Sequence, residues 1–175
     1  MLKPTRLSVR KEVRGNLAPR RNNISIDANA LDRDGSARDA LVDRFQALAS
    51  ARRLNVVVAC GVRDEIQHPR TPADVKEAVL PWIFNRRPGL IASQHADRYR
   101  VASVLQGNAH PAKHAADASH LSEAAETGCA YFITHDKRIL DKRDELRSLL
   151  PPSLEIVTLT EFFEVFDRFE AERPR

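Results

Sequence analysis

The sequence predicts a three-layer α/β/α protein, in which helices cover both faces of a central, mostly parallel sheet of about five strands. Short runs of β-branched and aromatic residues alternate with longer segments of helical periodicity. A length of 175 residues suits one domain with a substantial core. The hydrophobic content of 42% and the charged content of 30% are typical of a globular domain.

Five segments have the composition of buried strands. Each is short and contains Val, Ile, Leu or Phe. The predicted strands are 24–27, 55–60, 90–91, 130–134 and 155–157. Because helical segments separate them, we expect neighbouring strands to be parallel.

The helical segments are marked by periodic apolar residues and by residues that favour helix ends. Ser36 and Thr160 are predicted N-caps, whereas Gly107 and Gly128 follow the ends of two helices. Pro72 stands at the first turn of another helix. The predicted helices end near residues 53, 67, 80, 106, 127, 149 and 169.

Basic residues are concentrated at the N-terminus. The first 23 residues contain seven Lys and Arg against one acidic residue, whereas the whole chain carries a net charge of +4. We therefore predict a flexible basic arm over residues 1–22, a folded domain over 23–170 and a short tail over 171–175. Such arms often contact nucleic acid or an acidic partner.

Two features predict where the protein resides. No apolar stretch approaches the roughly 20 residues that a membrane helix needs, so we expect no membrane partner. The chain has two cysteines, and its start does not resemble a signal peptide. These observations predict a cytoplasmic protein.

Four acidic residues lie where strands end or where a helix begins. Asp27 and Asp136 follow predicted strands, Glu65 follows the second strand, and Asp117 lies on the buried stripe of an Ala-rich helix. The carboxyl edge of a parallel sheet is where loops from several strands meet. The four carboxylates are therefore expected to lie close together.

A cluster of carboxylates needs a compensating charge. Two of them about 5 Å apart repel by roughly 3 kcal/mol at an effective dielectric of about 20. A shared proton, a nearby Lys or Arg, or a divalent cation could offset this repulsion. Oxygen ligands favour Mg²⁺ or Mn²⁺, as one or two ions. Each acid taken singly could instead be a helix cap or a loop carboxylate.

Four segments resemble the PIN-domain family. Residues 24–31 (ISIDANAL) resemble its opening strand, and residues 117–136 (DASHLSEAAETGCAYFITHD) resemble its later half. Residues 56–58 followed by Glu65 match its middle element, and residues 156–163 resemble its closing strand and helix. The resemblance extends over about residues 24–166. It implies a metal-dependent nuclease, most often an endoribonuclease that hydrolyses RNA, and includes the VapC-type toxins of toxin-antitoxin pairs.

The resemblance also implies roles for individual residues. The metal-binding and catalytic acids would be Asp27, Glu65, Asp117 and Asp136, while Asn29 and Thr134 would orient substrate or water. An RNA substrate is expected, and an antitoxin protein and a homodimer are further expected partners. This chain has Arg138 where many toxin members carry another acid, and the basic arm makes it longer than a minimal toxin.

Other interpretations remain open. The chain could be a non-catalytic PIN-like module that binds nucleic acid or a partner protein, or a hydrolase of a small phosphate substrate. The spacing of His114, Asp117 and His120 suggests zinc, although histidines at such a junction are more often exposed. Trp82 and its apolar neighbours could stack on bases, but they are better explained by core packing.

Overall fold

Five parallel strands form the centre of the fold. The computed structural model describes residues 17–61, 67–71, 73–78, 83–84, 90–110 and 113–172. The strands are ordered β3-β2-β1-β4-β5 across the sheet, and all neighbouring pairs are parallel. Their bounds are Asn23–Ile26 (β1), Asn55–Val58 (β2), Ile83–Phe84 (β3), Cys129–Ile133 (β4) and Glu155–Val157 (β5). The sheet thus has four strands of at least three residues and one two-residue strand at its edge.

Helices connect the strands in the described part of the chain. A 3₁₀ turn over Ala28–Leu31 follows β1 directly. The α-helices are Arg38–Ser50 (α1), Ala73–Ala78 (α2), Ala92–Gln106 (α3), Ala115–Glu126 (α4), Lys137–Asp141 (α5), Arg143–Leu146 (α6) and Leu159–Ala171 (α7). This alternation confirms the predicted α/β class.

Two separate apolar clusters cover the two faces of the sheet. On one face, α1 and α7 pack their Phe side chains against Ile24, Ile26 and Tyr131. On the other face, α3, α4, α5 and α6 pack against Val57, Phe132 and Ile156. Because alternate residues of a strand point to opposite faces, the neighbours Tyr131 and Phe132 belong to different clusters. The three-layer prediction is therefore confirmed.

The order of the strands creates a switch point between β1 and β4. From β1 the chain proceeds to β2 and β3 on one side, and it then returns to β4 and β5 on the other side. Ligands of open α/β sheets bind at the carboxyl ends of the two strands that flank such a point. Here those ends lead into Asp27 and into Thr134.

Several predicted elements and boundaries were wrong. Residues 90–91 do not form a strand, because the backbone N–H of Ile91 bonds to the side chain of Gln94 and begins α3. The helix predicted over 137–149 divides at Lys142 into α5 and α6. The cap of α7 is Thr158 rather than Thr160, because Thr158 and Glu161 form a reciprocal capping box.

The N-terminal residues 17–22, which the sequence analysis assigned to the basic arm, contact the folded domain. Leu17 is buried, and its carbonyl accepts a hydrogen bond from the Tyr131 hydroxyl. Arg20 forms an ion pair with Glu170 of α7. The folded unit thus includes these residues, whereas residues 1–16 lie outside the described part of the chain.

The described helices contain none that is long and apolar enough to cross a membrane.

Candidate active site at the switch point

Asp27 is the central carboxylate of the candidate site. It follows β1 directly and is only 4% exposed. Its Oδ2 accepts hydrogen bonds from Asn29 Nδ2 and from Thr134 Oγ1, each at 2.9 Å. A buried carboxylate without such donors would be strongly unfavourable. The polar residues around Asp27 therefore satisfy its Oδ2 and fix its orientation.

Asn29 and Thr134 connect the ends of the two central strands. Asn29 Oδ1 accepts the backbone N–H of His135 at 2.9 Å, while its amide group donates to Asp27. Thr134 is fully buried, and its hydroxyl accepts the backbone N–H of Asp136 at 3.0 Å. Each of the two side chains thus bonds to both loops. The sequence prediction that they lie beside Asp27 and Asp136 agrees with this arrangement.

Asp136 lies on the loop after β4 and caps α5. Its Oδ1 accepts the backbone N–H groups of Arg138 at 2.7 Å and Ile139 at 3.2 Å. A carboxylate at a helix N-terminus is stabilised by these donors and by the helix dipole. The helix-cap interpretation and the ligand interpretation are therefore compatible, because the cap uses a single oxygen.

Asp117 lies in the first turn of α4. Its Oδ2 is 3.2 Å from Nδ1 of His114, the residue that precedes the helix. The sequence predicted a buried carboxylate here, but the Asp117 side chain is 28% exposed. It is half-buried because Ala118 and Leu121, rather than Asp117, face the apolar core.

His120 brings the same helix to Asp27. Its imidazole is 2% exposed, and Nδ1 lies 3.6 Å from Asp27 Oδ1. The expectation that the histidines near Asp117 are exposed was wrong for His120, because one turn after Asp117 the helix packs against the sheet. His120 is thus a site residue that the sequence analysis missed.

Glu123 is a second missed residue. It is 5% exposed, and its Oε2 accepts the backbone N–H of Cys60 at 2.8 Å. It therefore ties α4 to the segment that follows β2. Its helical spacing from His120 places both side chains on one face of α4, so a second polar residue one turn after His120 was the signal that could have identified it.

Arg138, which stands where many toxin members carry another acid, contacts the end of α3. Its guanidinium donates to the carbonyls of Leu105 and Gln106 at the end of α3. A cation at a helix C-terminus satisfies carbonyls that lack partners within the helix. Arg138 therefore attaches the Asp136 loop to α3.

His135 adds no positive charge to the site near neutral pH. Burial lowers the pKa of its imidazole, and the positive charge of Arg38 lowers that pKa further. Both effects favour the neutral ring. The charge balance at this edge is therefore set mainly by the carboxylates and by the donors that surround them.

The structure gathers some of the predicted residues more closely than others. Asp27, Asn29, Thr134 and the Asp136 loop form one hydrogen-bonded network, and α4 joins it through His120. Glu65 lies outside the described residues. Across the described ranges, no three His, Cys, Asp or Glu side chains form a group that could hold a metal ion, and this holds for the zinc arrangement too.

The fold and this network define an α/β protein with polar residues gathered at the switch point of a parallel sheet. Comparisons of the chain with protein-family models, with curated protein sequences and with solved structures find no match. The likeness to PIN domains therefore stays a prediction that rests on residues 24–31, 56–65, 117–136 and 156–163.

Proposed function

We propose that the protein is a Mg²⁺- or Mn²⁺-dependent nuclease that hydrolyses phosphodiester bonds of RNA. The observation that carries this proposal is the position of the Asp27–Thr134–Asp136 network at the carboxyl ends of β1 and β4. The switch point of an open α/β sheet is where such proteins bind ligands. Carboxylates at that point favour a hard divalent cation.

The chemistry of the donor set fits such a cation. Asp136 is hydrogen-bonded through Oδ1 and Asp117 through Oδ2, and the described contacts involve only that one oxygen of each. Metal-binding carboxylates are commonly oriented in this way by hydrogen bonds to their second oxygen. Mg²⁺ needs only one or two protein carboxylates, because water and substrate phosphate complete its coordination. Asp27 and Asp136 would hold it, together with Asp117 or Glu65.

The protein side chains would contribute by orienting the groups that bind the ion. A bound divalent ion would neutralise phosphate charge and supply hydroxide near neutral pH. Thr134 and Asn29 would keep Asp27 and the Asp136 loop in register, because each bonds to both strand ends. Hydrolysis of this kind would leave a 5′-phosphate and would not require the ribose 2′-hydroxyl. RNA is proposed as the substrate from the PIN resemblance.

The substitution Asp136→Asn separates the two roles of this residue. Asn is as good an N-cap as Asp, so the free energy of unfolding should change by less than about 1 kcal/mol. Cleavage of a labelled single-stranded RNA with added Mn²⁺ should nevertheless be lost, because the neutral amide is a poor cation ligand. Asp141→Asn, on the same helix, is the matched control and should cleave normally. Equal cleavage by Asp136→Asn and the wild type would contradict the proposal.

A second candidate is a non-catalytic module that binds nucleic acid or a partner protein. It is favoured by the basic residues at the N-terminus, whose positive charge suits nucleic acid or an acidic partner. It predicts RNA binding without cleavage and a thermal midpoint that does not respond to Mn²⁺. The nuclease proposal predicts a midpoint that rises with Mn²⁺ concentration, because a ligand that binds only the folded state stabilises it.

A further inference from the structure

His120 and Asp27 form a buried pair that joins α4 to the end of β1. The two side chains are 2% and 5% exposed, and Nδ1 lies 3.6 Å from Oδ1. This distance is longer than a normal hydrogen bond, so the two atoms lie close together without direct hydrogen-bond geometry. The imidazole nevertheless occupies the side of Asp27 opposite to Asn29 and Thr134.

The segment after β2 fixes the position of the imidazole. A Cβ atom added to Gly61 would lie 2.4 Å from Nε2 and 2.8 Å from Cδ2 of His120. Only a glycine therefore allows the backbone to approach the ring in its present position. The adjacent Cys60 N–H bonds to Glu123, three residues after His120 on α4. The ring is thus confined between Asp27 and the backbone at Gly61.

The contacts of Asp27 limit how it can bind a cation. An ionised carboxylate offers about four lone-pair positions. Asn29 and Thr134 occupy both positions on Oδ2, and His120 faces Oδ1. Counting the contacts of the described residues alone, one direction on Oδ1 therefore remains for a ligand. This arrangement excludes bidentate coordination unless the hydrogen bonds to Oδ2 break.

We propose that His120 is a positioning residue that holds Asp27 so that it binds a divalent cation through Oδ1 alone. This inference rests on the proposed function, because it concerns the same carboxylate. Nothing in the PIN resemblance assigned a role to His120. The proposal also explains why the close contact is made by Gly61, whose backbone approaches the ring without a side chain.

The experiment measures the thermal midpoint against Mn²⁺ concentration for the wild type, His120→Ala and Ser122→Ala. Ser122 is the matched control because it is a buried polar residue on the same helix. Loss of His120 should raise the half-saturating Mn²⁺ concentration about 10- to 100-fold, as is common when a group that orients a metal ligand is removed. Ser122→Ala should match the wild type.

Two further variants separate positioning from general damage. His120→Asn places an amide nitrogen where Nδ1 lies and should restore Mn²⁺ affinity to within about threefold of the wild type. Gly61→Ala displaces the ring, so it should weaken Mn²⁺ binding in the wild type but add little in His120→Ala. These two variants test the proposal even if His120→Ala is unfolded.

The outcomes distinguish this inference from the proposed function. A wild type whose midpoint ignores Mn²⁺ would overturn both. A wild type that responds, together with a His120→Ala protein of equal half-saturating concentration, would overturn only the role of His120. A lower midpoint without Mn²⁺ but an unchanged Mn²⁺ response would likewise show that His120 is purely structural.

Discussion

At the scale of single residues, several buried polar groups of the candidate site bond to partners from distant parts of the chain. Thr134 exemplifies this pattern, because one hydroxyl donates to Asp27 and accepts from the backbone of Asp136. Asp27, Asp117 and Asp136 each have protein donors of their own. Charge repulsion among them therefore does not by itself require a metal ion, and the nuclease proposal depends on their location instead.

Tyr131 should make stability depend on alkaline pH. Burial, and next the charge of Glu155, raise the pKa of its hydroxyl from 10.0 to about 12. Below pH 10 the folded and unfolded states are both protonated, whereas between pH 10 and 12 the unfolded state alone loses the proton. The free energy of unfolding should therefore fall over this interval, by roughly 1 to 2 kcal/mol after allowance for solvent screening.

Urea denaturation of Tyr131→Phe at pH 9 and pH 11.5 tests this dependence. The variant should be about 1 kcal/mol less stable at pH 9, because the hydrogen bond to the Leu17 carbonyl is lost. The difference in unfolding free energy between the variant and the wild type should shrink or vanish at pH 11.5. Tyr99 is 77% exposed, so Tyr99→Phe should follow the wild type at both pH values. A constant difference between Tyr131→Phe and the wild type would contradict the argument.

At the scale of secondary structure, local signals predicted the elements with unambiguous apolar runs better than the others. Strand β5 was predicted with its observed bounds, and β4 was displaced by one residue, because their apolar runs are unambiguous. The two apolar residues at 90–91 were insufficient, since Gln94 makes Ile91 the start of a helix. The cap of α7 could have been predicted, because Thr158-x-x-Glu161 is a capping-box sequence.

Thr158→Ala should therefore destabilise the protein more than Thr160→Ala. The Thr158 hydroxyl accepts the Glu161 backbone N–H at 3.2 Å, and Glu161 accepts the Thr158 backbone N–H at 2.7 Å. Loss of an N-cap typically costs about 1 kcal/mol. Thr160 is exposed and is the matched control, with an expected change below about 0.5 kcal/mol. Chemical denaturation that ranks the two variants equally would refute the assignment of the cap.

At the scale of the whole molecule, contacts between distant residues determine the features of the site that could not be predicted from the sequence. The parallel sheet and the positions of Asp27 and Asp136 followed from the alternation of strands and helices. The pairing of His120 with Asp27 depends on how α4 crosses the sheet, and no local pattern encodes that. Likewise, the burial of Leu17 depends on Tyr131, which lies more than 100 residues away.

Truncations of the N-terminus should separate stability from RNA binding. Removal of residues 1–22 should lower the unfolding free energy by about 2 to 4 kcal/mol relative to removal of 1–16, because Leu17 is buried and Arg20 pairs with Glu170. Residues 1–16 contain five Lys and Arg, so their removal should weaken RNA binding and reduce its salt dependence. Fluorescence anisotropy at several salt concentrations measures the second effect, and an unchanged salt slope would exclude a role for the arm.

The different environments of the two thiols allow the segment after β2 to be followed chemically. Burial raises the pKa of the Cys129 thiol, whereas Cys60 is half-buried beside Gly61. Because thiolates are the reactive species, iodoacetamide should alkylate Cys60 well before Cys129, as mass spectrometry of intact protein and peptides can show. The rate at Cys60 would then report opening between this segment and α4, and slower modification in the presence of Mn²⁺ would indicate that cation binding holds the two together.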